Sequence, residues 1–184
     1  GSSGLPSLKN PIEGVIPGPQ VWEACFTGKY RNVGDWYSGK GAQAGVDETC
    51  DIHCIIHDEN AYLQTGPNMK RGIEAHRKMD FVLSKAQFLT TQALYSDIVL
   101  PVTTQWEVPG GLASSNREFL FCFSQVTEPL YEAKTDAQIN TLIMEALGLD
   151  PSTVYPISEK QAFFNQIAGA TVIKEDGSGK YEPL

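Results

Sequence analysis

At 184 residues the chain is long enough for one domain with a substantial core and too short for a large multidomain enzyme. Its 14 Lys and Arg are outnumbered by 22 Asp and Glu, and the net charge of −8 repels phosphate backbones and anionic membrane surfaces, so nucleic acid is not an expected partner. No apolar run approaches the roughly 18 residues of a membrane span, and direct membrane contact is not expected either.

Gly1-Ser2-Ser3-Gly4 reads as a cloning scar. Between Leu5 and Pro19 the recurrence of Pro6, Pro11, Gly14, Pro17, Gly18 and Pro19 blocks regular structure and predicts an irregular arm. Val21 to Phe26 then reads as a short helix stopped by Gly28, with Trp22 and Phe26 four apart on one face. Gly34 to Gly45 is a glycine-rich loop bearing Trp36 and Tyr37, exposed unless a partner covers them.

Asp51 to His57, DIHCIIH, is rich in β-branched residues and predicts a buried strand ended by Asp58-Glu59-Asn60. Pro67 and Asn68 precede a crossover helix over Met69 to Arg77, in which Met69, Ile73 and His76 share a face, and Phe81-Val82-Leu83 is the next strand. Strand, helix, strand implies parallel pairing. Thr90 or Thr91 can cap a short helix through Leu94, and Ile98-Val99-Leu100 gives a third strand that Pro101 ends.

Glu118 to Phe123 predicts a strand outside the parallel core. Asp136 to Leu147 is the clearest amphipathic helix, with Thr135 as its cap, Ile139, Leu142, Ile143 and Ala146 on one face, and Gly148 as its stop. Ser158 to Ala168 is a second helix, and the residues after Lys174 read as a loose tail. The fold class is therefore α/β with a mainly parallel sheet. The expected organisation is an arm, short helix and loop over 5–48, an α/β domain over 49–173, and a tail over 174–184.

Cys50, His53, Cys54 and His57 are the arrangement closest to a metal site. On a helix all four would share a face and could hold zinc; on a strand the cysteines point one way and the histidines the other, which argues for half-buried cysteines and a strand-face histidine pair. Cys122 sits inside an apolar strand, so the four cysteines read as reduced core residues. His76 falls at the end of the crossover helix, where a partly charged imidazole would complement the helix dipole. The basic group Lys70, Arg71, Arg77 and Lys78 reads as a solvated face. Neither G-x-S-x-G, G-x-G-x-x-G nor a P-loop occurs, so no self-contained catalytic set is visible.

What remains is a ligand edge. In open parallel sheets ligands lie beyond the carboxyl ends of the strands, which singles out Asp58 to Ala61, then Lys85 to Gln87 with Thr90, and Thr103 to Gln105. Asn60 and Thr90 offer compact donors and acceptors, and the amides at the short helix start could meet a phosphate. Taken singly, Asn60 is as readily a turn residue and Thr90 a helix cap.

Thr90, Ala93, Tyr95-Ser96-Asp97-Ile98-Val99-Leu100-Pro101 and Glu107 together resemble the molybdopterin oxidoreductases of the dimethyl sulfoxide reductase family. The similarity extends from Trp22-Glu23-Ala24 and Gly28-Lys29-Tyr30 through Asn60 to Asn116-Arg117, Pro129, Glu132-Ala133-Lys134-Thr135-Asp136 and Leu147-Gly148. The resemblance implies a Rossmann-like, three-layer piece of a catalytic large subunit. That piece would contribute Asn60, Gln87 and Thr90 to the site for the guanosine end of molybdopterin guanine dinucleotide. The parent would carry molybdenum bis(molybdopterin guanine dinucleotide) and work with an iron-sulfur electron-transfer subunit and a membrane anchor. The piece alone would be inactive and retain no cofactor. Where members of the family place an aspartate three to four residues before the motif threonine, this chain has Ala86. The competing expectation is a non-catalytic Rossmann-like interaction module that has lost its nucleotide and uses the Trp36-Tyr37 loop.

Overall fold

The computed structural model describes residues 15–34, 44–58, 61–113 and 120–183. Its contacts separate two compact units, one drawn from Asn10–Val102 and the other from Thr103–Leu184. The parallel sheet lies wholly in the first. Trp36, Tyr37 and Asn60 lie outside the described residues.

In the first unit, a 3-10 turn at Gly18–Gln20 leads into α1 (Val21–Thr27), which buries Trp22, Ala24 and Cys25. Gly28 ends it at φ +66, a left-handed conformation that an L side chain adopts only with strain, and a Cβ there would sit 3.1 Å from the Cys50 carbonyl oxygen. The chain then forms β1 (Lys29–Arg31), paired antiparallel with β2 (Asp47–Thr49). An exposed Arg31–Asp47 bridge of 2.8 Å spans the pair.

The sheet proper has three strands, β3 (Cys54–His57), β4 (Phe81–Ala86) and β5 (Ile98–Pro101), in the order β3-β4-β5 and parallel throughout. Two helices, α2 (Tyr62–Thr65) and α3 (Met69–Lys78), connect β3 to β4, and α4 (Thr91–Leu94) connects β4 to β5. This is the Rossmann-like α/β arrangement anticipated from the strand and helix pattern, with helices flanking the sheet. Register and alternation put Ile55, His57, Val82, Ser84, Ala86, Val99 and Pro101 on one face of it.

Helix α3 begins at Asn68, whose side chain accepts a hydrogen bond from the Arg71 amide. Its buried face is Gly72, Ala75 and His76, while Met69, expected on that face, is 44% exposed. Trp22, Cys25, Leu63 and Ala75 form the core cluster, with Ile55, Ile73 and Phe26 packed against it. Gly72 is the closest point of this packing: a Cβ there would lie 2.5 Å from Leu63 Cδ1 and 2.9 Å from Trp22 Cε2. Arg71 is no solvated cation. It donates through Nε and Nη2 to both carboxylate oxygens of Glu23 at 2.7 and 3.0 Å, and its guanidinium lies 3.5 Å over the Phe26 ring, so it ties α3 to α1.

The sequence reading also needs correcting at His76 and at the cysteines. His76 is 4% exposed and packs against Trp22, where a charge would be costly, so it does not serve the helix dipole. Its Nδ1 is 2.7 Å from the Gly72 carbonyl oxygen and its Nε2 is 2.9 Å from Nε2 of His57, the two rings stacked at 11°. A carbonyl can only accept, so the His76 proton sits on Nδ1, and the proton shared between the rings belongs to His57. The histidine partner of His57 is therefore on α3; His53 instead is exposed between Asp80 and Asp51, at 2.6 and 3.3 Å. Of the cysteines only Cys25 is buried, and Cys54 and Cys122 are exposed.

The second unit is described by itself. Strand β6 (Gly110–Ala113) pairs antiparallel with β7 (Leu120–Phe123). Helix α5 (Asp136–Ala146) starts with a full capping box between Thr135 and Gln138, and α6 (Glu159–Ala168) starts at Ser158. Only Ile139 of α5's apolar stripe is buried; Leu142 is 49% exposed. The tail read as loose instead carries one arm of a hairpin: β8 (Thr171–Ile173) pairs with β9 (Tyr181–Pro183) across a turn with Gly177 and Gly179 at positive φ. Glu107 is 4% exposed, and its carboxylate accepts from the Thr104 amide and hydroxyl and from the Leu130 amide, which holds it below the ordinary carboxylate range.

Two stability predictions follow from this packing. Gly72→Ala gains about 1 kcal/mol of helix propensity and loses about 1–3 kcal/mol to overpacking, so a net loss is expected in urea unfolding. An unchanged or raised midpoint would show that Trp22 and Leu63 move aside freely. For the imidazole pair, burial first and the neighbouring ring second push His57 down to about 4, against Asp58, and burial lowers His76 against its bond to Gly72. Both histidines bind protons less readily folded than unfolded. The penalty is absent above about pH 6.5 and grows as pH falls toward about 4, reaching about 2 kcal/mol for His57 after solvent screening. The double substitution His57→Leu with His76→Leu is expected to flatten the pH dependence of the urea midpoint across that window; an unaltered dependence would assign the acid sensitivity to other groups.

Candidate functional site

Because all three strands of the sheet run the same way, their carboxyl ends, His57, Ala86 and Pro101, open on one edge. A hollow of about 270 Å³ lies there, lined by Ala86, Gln87, Phe88, Leu89, Val99 and Pro101. Its size is just under the range of about 300–1,000 Å³ usual for small-molecule pockets, so it suits one flat portion of a larger ligand.

The turn that makes this hollow is held from several sides. Thr90 caps α4, its hydroxyl oxygen accepting from the Ala93 amide at 3.3 Å, and the Thr90 amide donates to the Phe88 carbonyl at 2.8 Å. Gln92 is fully buried, and its carboxamide oxygen accepts from the Leu63 amide at 3.1 Å, fastening α4 to α2. Ser96 meets Ser84 hydroxyl to hydroxyl at 2.7 Å. The Asp97 carboxylate accepts from the Val82 amide at 2.7 Å while the Asp97 amide donates to the Val82 carbonyl at 2.8 Å, which sets β5 in register on β4. The motif from Thr90 to Pro101 is thus chiefly a device for building the turn.

At the adjacent strand end, Lys85 is 1% exposed and its ammonium lies 2.8 Å from Asp58, itself largely exposed. Lys85 therefore belongs to β4, which runs three residues past the expected Phe81-Val82-Leu83. This buried cation joins the ends of β3 and β4, a contact that sequence could suggest only through the oddity of a lysine in an apolar strand.

Of the residues singled out from sequence, Gln87 lines the hollow and is exposed, whereas Thr90 is half-buried and is not among the lining residues. Asn60 lies outside the described residues. Thr103 to Gln105 fall in the second unit, where Thr103 is buried and donates its amide to the Lys134 carbonyl and Thr104 binds Glu107. At four residues α4 has little macrodipole, so its amides are a weak phosphate site. Among the described residues no three or more His, Cys, Asp or Glu gather as they would around a metal ion. Cys54 and His57 stand on opposite faces of β3, one exposed and the other buried.

Over 82 residues the chain is 34% identical to a protein of Staphylococcus aureus (strain USA300) provisionally named formate dehydrogenase, covering 45% of this chain and 8% of that protein. Over 97 residues it is 31% identical to a similarly named protein of Staphylococcus haemolyticus (strain JCSC1435), covering 53% and 9%. The chain thus spans less than a tenth of the length of these relatives. Acetylene hydratase from Pelobacter acetylenicus shares the fold, with a TM-score of 0.55 and 22% identity over 65% of this chain and 16% of that one. Residues 38–146 match the family profile of molybdopterin oxidoreductases, and on that match, which takes in more than half of the sequence, the chain belongs to the molybdopterin oxidoreductase family.

Proposed function

We propose that the chain is the part of a molybdopterin oxidoreductase large subunit that holds the guanosine end of molybdopterin guanine dinucleotide, in an enzyme resembling dimethyl sulfoxide reductase. The observation behind this reading is the hollow at the carboxyl edge of the parallel sheet, where Gln87 stands on an otherwise apolar lining and Thr90 follows directly after Leu89, the last lining residue of that turn. The donor set suits the purpose. A carboxamide and a hydroxyl can pair with a base or ribose without adding charge, the floor can take a flat ring, and the Lys85–Asp58 pair stiffens the neighbouring strand ends. When bound, the cofactor supplies a metal that changes oxidation state as oxygen or hydrogen is moved; the residues of this chain only bind and orient it. Asn60 joins Gln87 and Thr90 in the proposed site on its sequence position. Ala86, at the last β4 position, brings a methyl group and no carboxylate to the hollow's wall.

By this reading the chain is inactive alone and retains no cofactor firmly. Its partners are the remaining domains of the large subunit, together with an iron-sulfur electron-transfer subunit and a membrane anchor. The names of its staphylococcal relatives keep formate beside a sulfoxide as the parent's substrate. A second reading, a Rossmann-like interaction module without nucleotide, draws on Ala86.

Isothermal calorimetry with guanosine 5′-monophosphate separates the two. Weak binding is expected, lowered several-fold by Asn60→Ala and by Thr90→Val, the latter also costing about 1 kcal/mol of stability through the lost cap. A well-folded chain that binds no guanosine nucleotide would favour the module.

A further inference from the structure

We propose that Phe88 is the platform on which the purine of that guanosine end stacks, so that the ring face of Phe88 holds the base and Gln87 reads its edge. This rests on the guanosine reading above and adds to it a residue and a contact. The turn from Ser84 to Asp97 is almost fully employed in its own construction: Ser84 and Ser96 bond each other, Thr90 caps α4, Gln92 reaches α2, Ala93 is buried and Asp97 latches β4. Phe88 and Leu89 stand apart from this. They are 69% and 73% exposed, they line the hollow, and they immediately precede the cap.

A large aromatic ring left in solvent loses the burial that would stabilise it, and a polar residue would serve a surface turn as well. Its backbone is nevertheless fixed, because the Phe88 carbonyl accepts from the Thr90 amide at 2.8 Å. The backbone beneath the platform is thus held before binding, and the ordering cost is confined to the ring's own rotamers. A purine matches the rest of the hollow. Its π face suits Phe88, its width suits a space of about 270 Å³ with aliphatic walls from Val99, Pro101 and Leu89, and its edge of donors and acceptors suits a carboxamide. Among the described residues none that lines the hollow is charged, so attraction comes from stacking, while Gln87 sets orientation.

The test uses the whole chain and guanosine 5′-monophosphate, with nuclear magnetic resonance of the nucleotide and calorimetry. Stacking shifts the base H8 resonance upfield in the bound state. Phe88→Ala and Phe88→Leu should both weaken binding, on the order of 5- to 150-fold, whereas Phe88→Trp should keep it and report it by quenching of the new indole. Circular dichroism should show all three folded, as expected for an exposed position. If Phe88→Leu binds as well as the parent sequence, or H8 does not move on binding, Phe88 is only an apolar surface or a contact for another domain, and the stacking role is overturned while the guanosine reading stands. If the folded parent sequence binds no nucleotide, both fall together.

Discussion

The first unit depends on β4 having a parallel partner on each side. From Val82 to Ala86 every residue is buried, and each backbone neighbour is supplied by β3 or β5. Such a strand has no face for water, so its backbone polar groups must be satisfied in the ladder, and the direction of both neighbours follows from its own. The common direction brings three carboxyl ends to one edge. Everything proposed about ligand binding uses that edge, and the side chains that could hold a ligand are placed by turns that begin where the ladder stops.

Around this strand, different kinds of contact act at different distances from the edge. Between the helices, the Gly72 notch lets Trp22 and Leu63 close on α3, and Arg71 clamps α1 through Glu23 and Phe26. The notch buries carbon and tolerates only shape-preserving change, while the Arg71–Glu23 clamp is an ion pair at the surface. At the edge the contacts are polar and directional, His57 with His76 and Lys85 with Asp58, and at the opposite, amino ends of the strands Asp97 accepts from the Val82 amide. Burial near the strand ends therefore supplies geometry more than stability. The paired histidines show the compromise most plainly, since two imidazoles share one proton in a place where a hydrocarbon side chain would be less sensitive to acid.

Much of this was legible in the sequence where a local rule acts alone. Gly28 and Gly148 mark helix ends, Thr90, Thr135 and Ser158 mark helix starts, and the Thr135–Gln138 spacing announces a capping box, because each feature is settled by backbone groups within a few residues. Parallel order followed from strand, helix, strand. What was not legible was settled by distant partners. Ser84 and Lys85 interrupt the apolar run and hide the second half of β4, which exists because β3 and β5 pair with it. Tyr62–Thr65 has no side-chain cap and one buried residue, so α2 has no local signature. Gly110–Ala113 is a poor strand former by composition and is held by β7. His76 has the sequence position of a dipole partner and the surroundings of a core residue. The candidate site divides in the same way: Gln87 falls on the hollow from its strand-end position, but the ion pair of Lys85 and the exposure of Phe88 required coordinates.

The resemblance motif gains a different meaning once its hydrogen bonds are known. Thr90, Ala93, Ser96 and Asp97 carry the chain from β4 through one short helix into its parallel neighbour β5. Their role in the fold is to cap, to pack, to bond the preceding strand and to latch the next. The four residues just before the motif's threonine, Ala86, Gln87, Phe88 and Leu89, line the hollow. Two of the four are exposed apolar residues, one is an exposed carboxamide and one a methyl on the wall, a combination suited to a neutral flat ring and unsuited to a phosphate. Any charge on a bound nucleotide must therefore be met elsewhere, by residues beyond this hollow, which is consistent with a chain that spans less than a tenth of its relatives' length and would orient one end of a long cofactor.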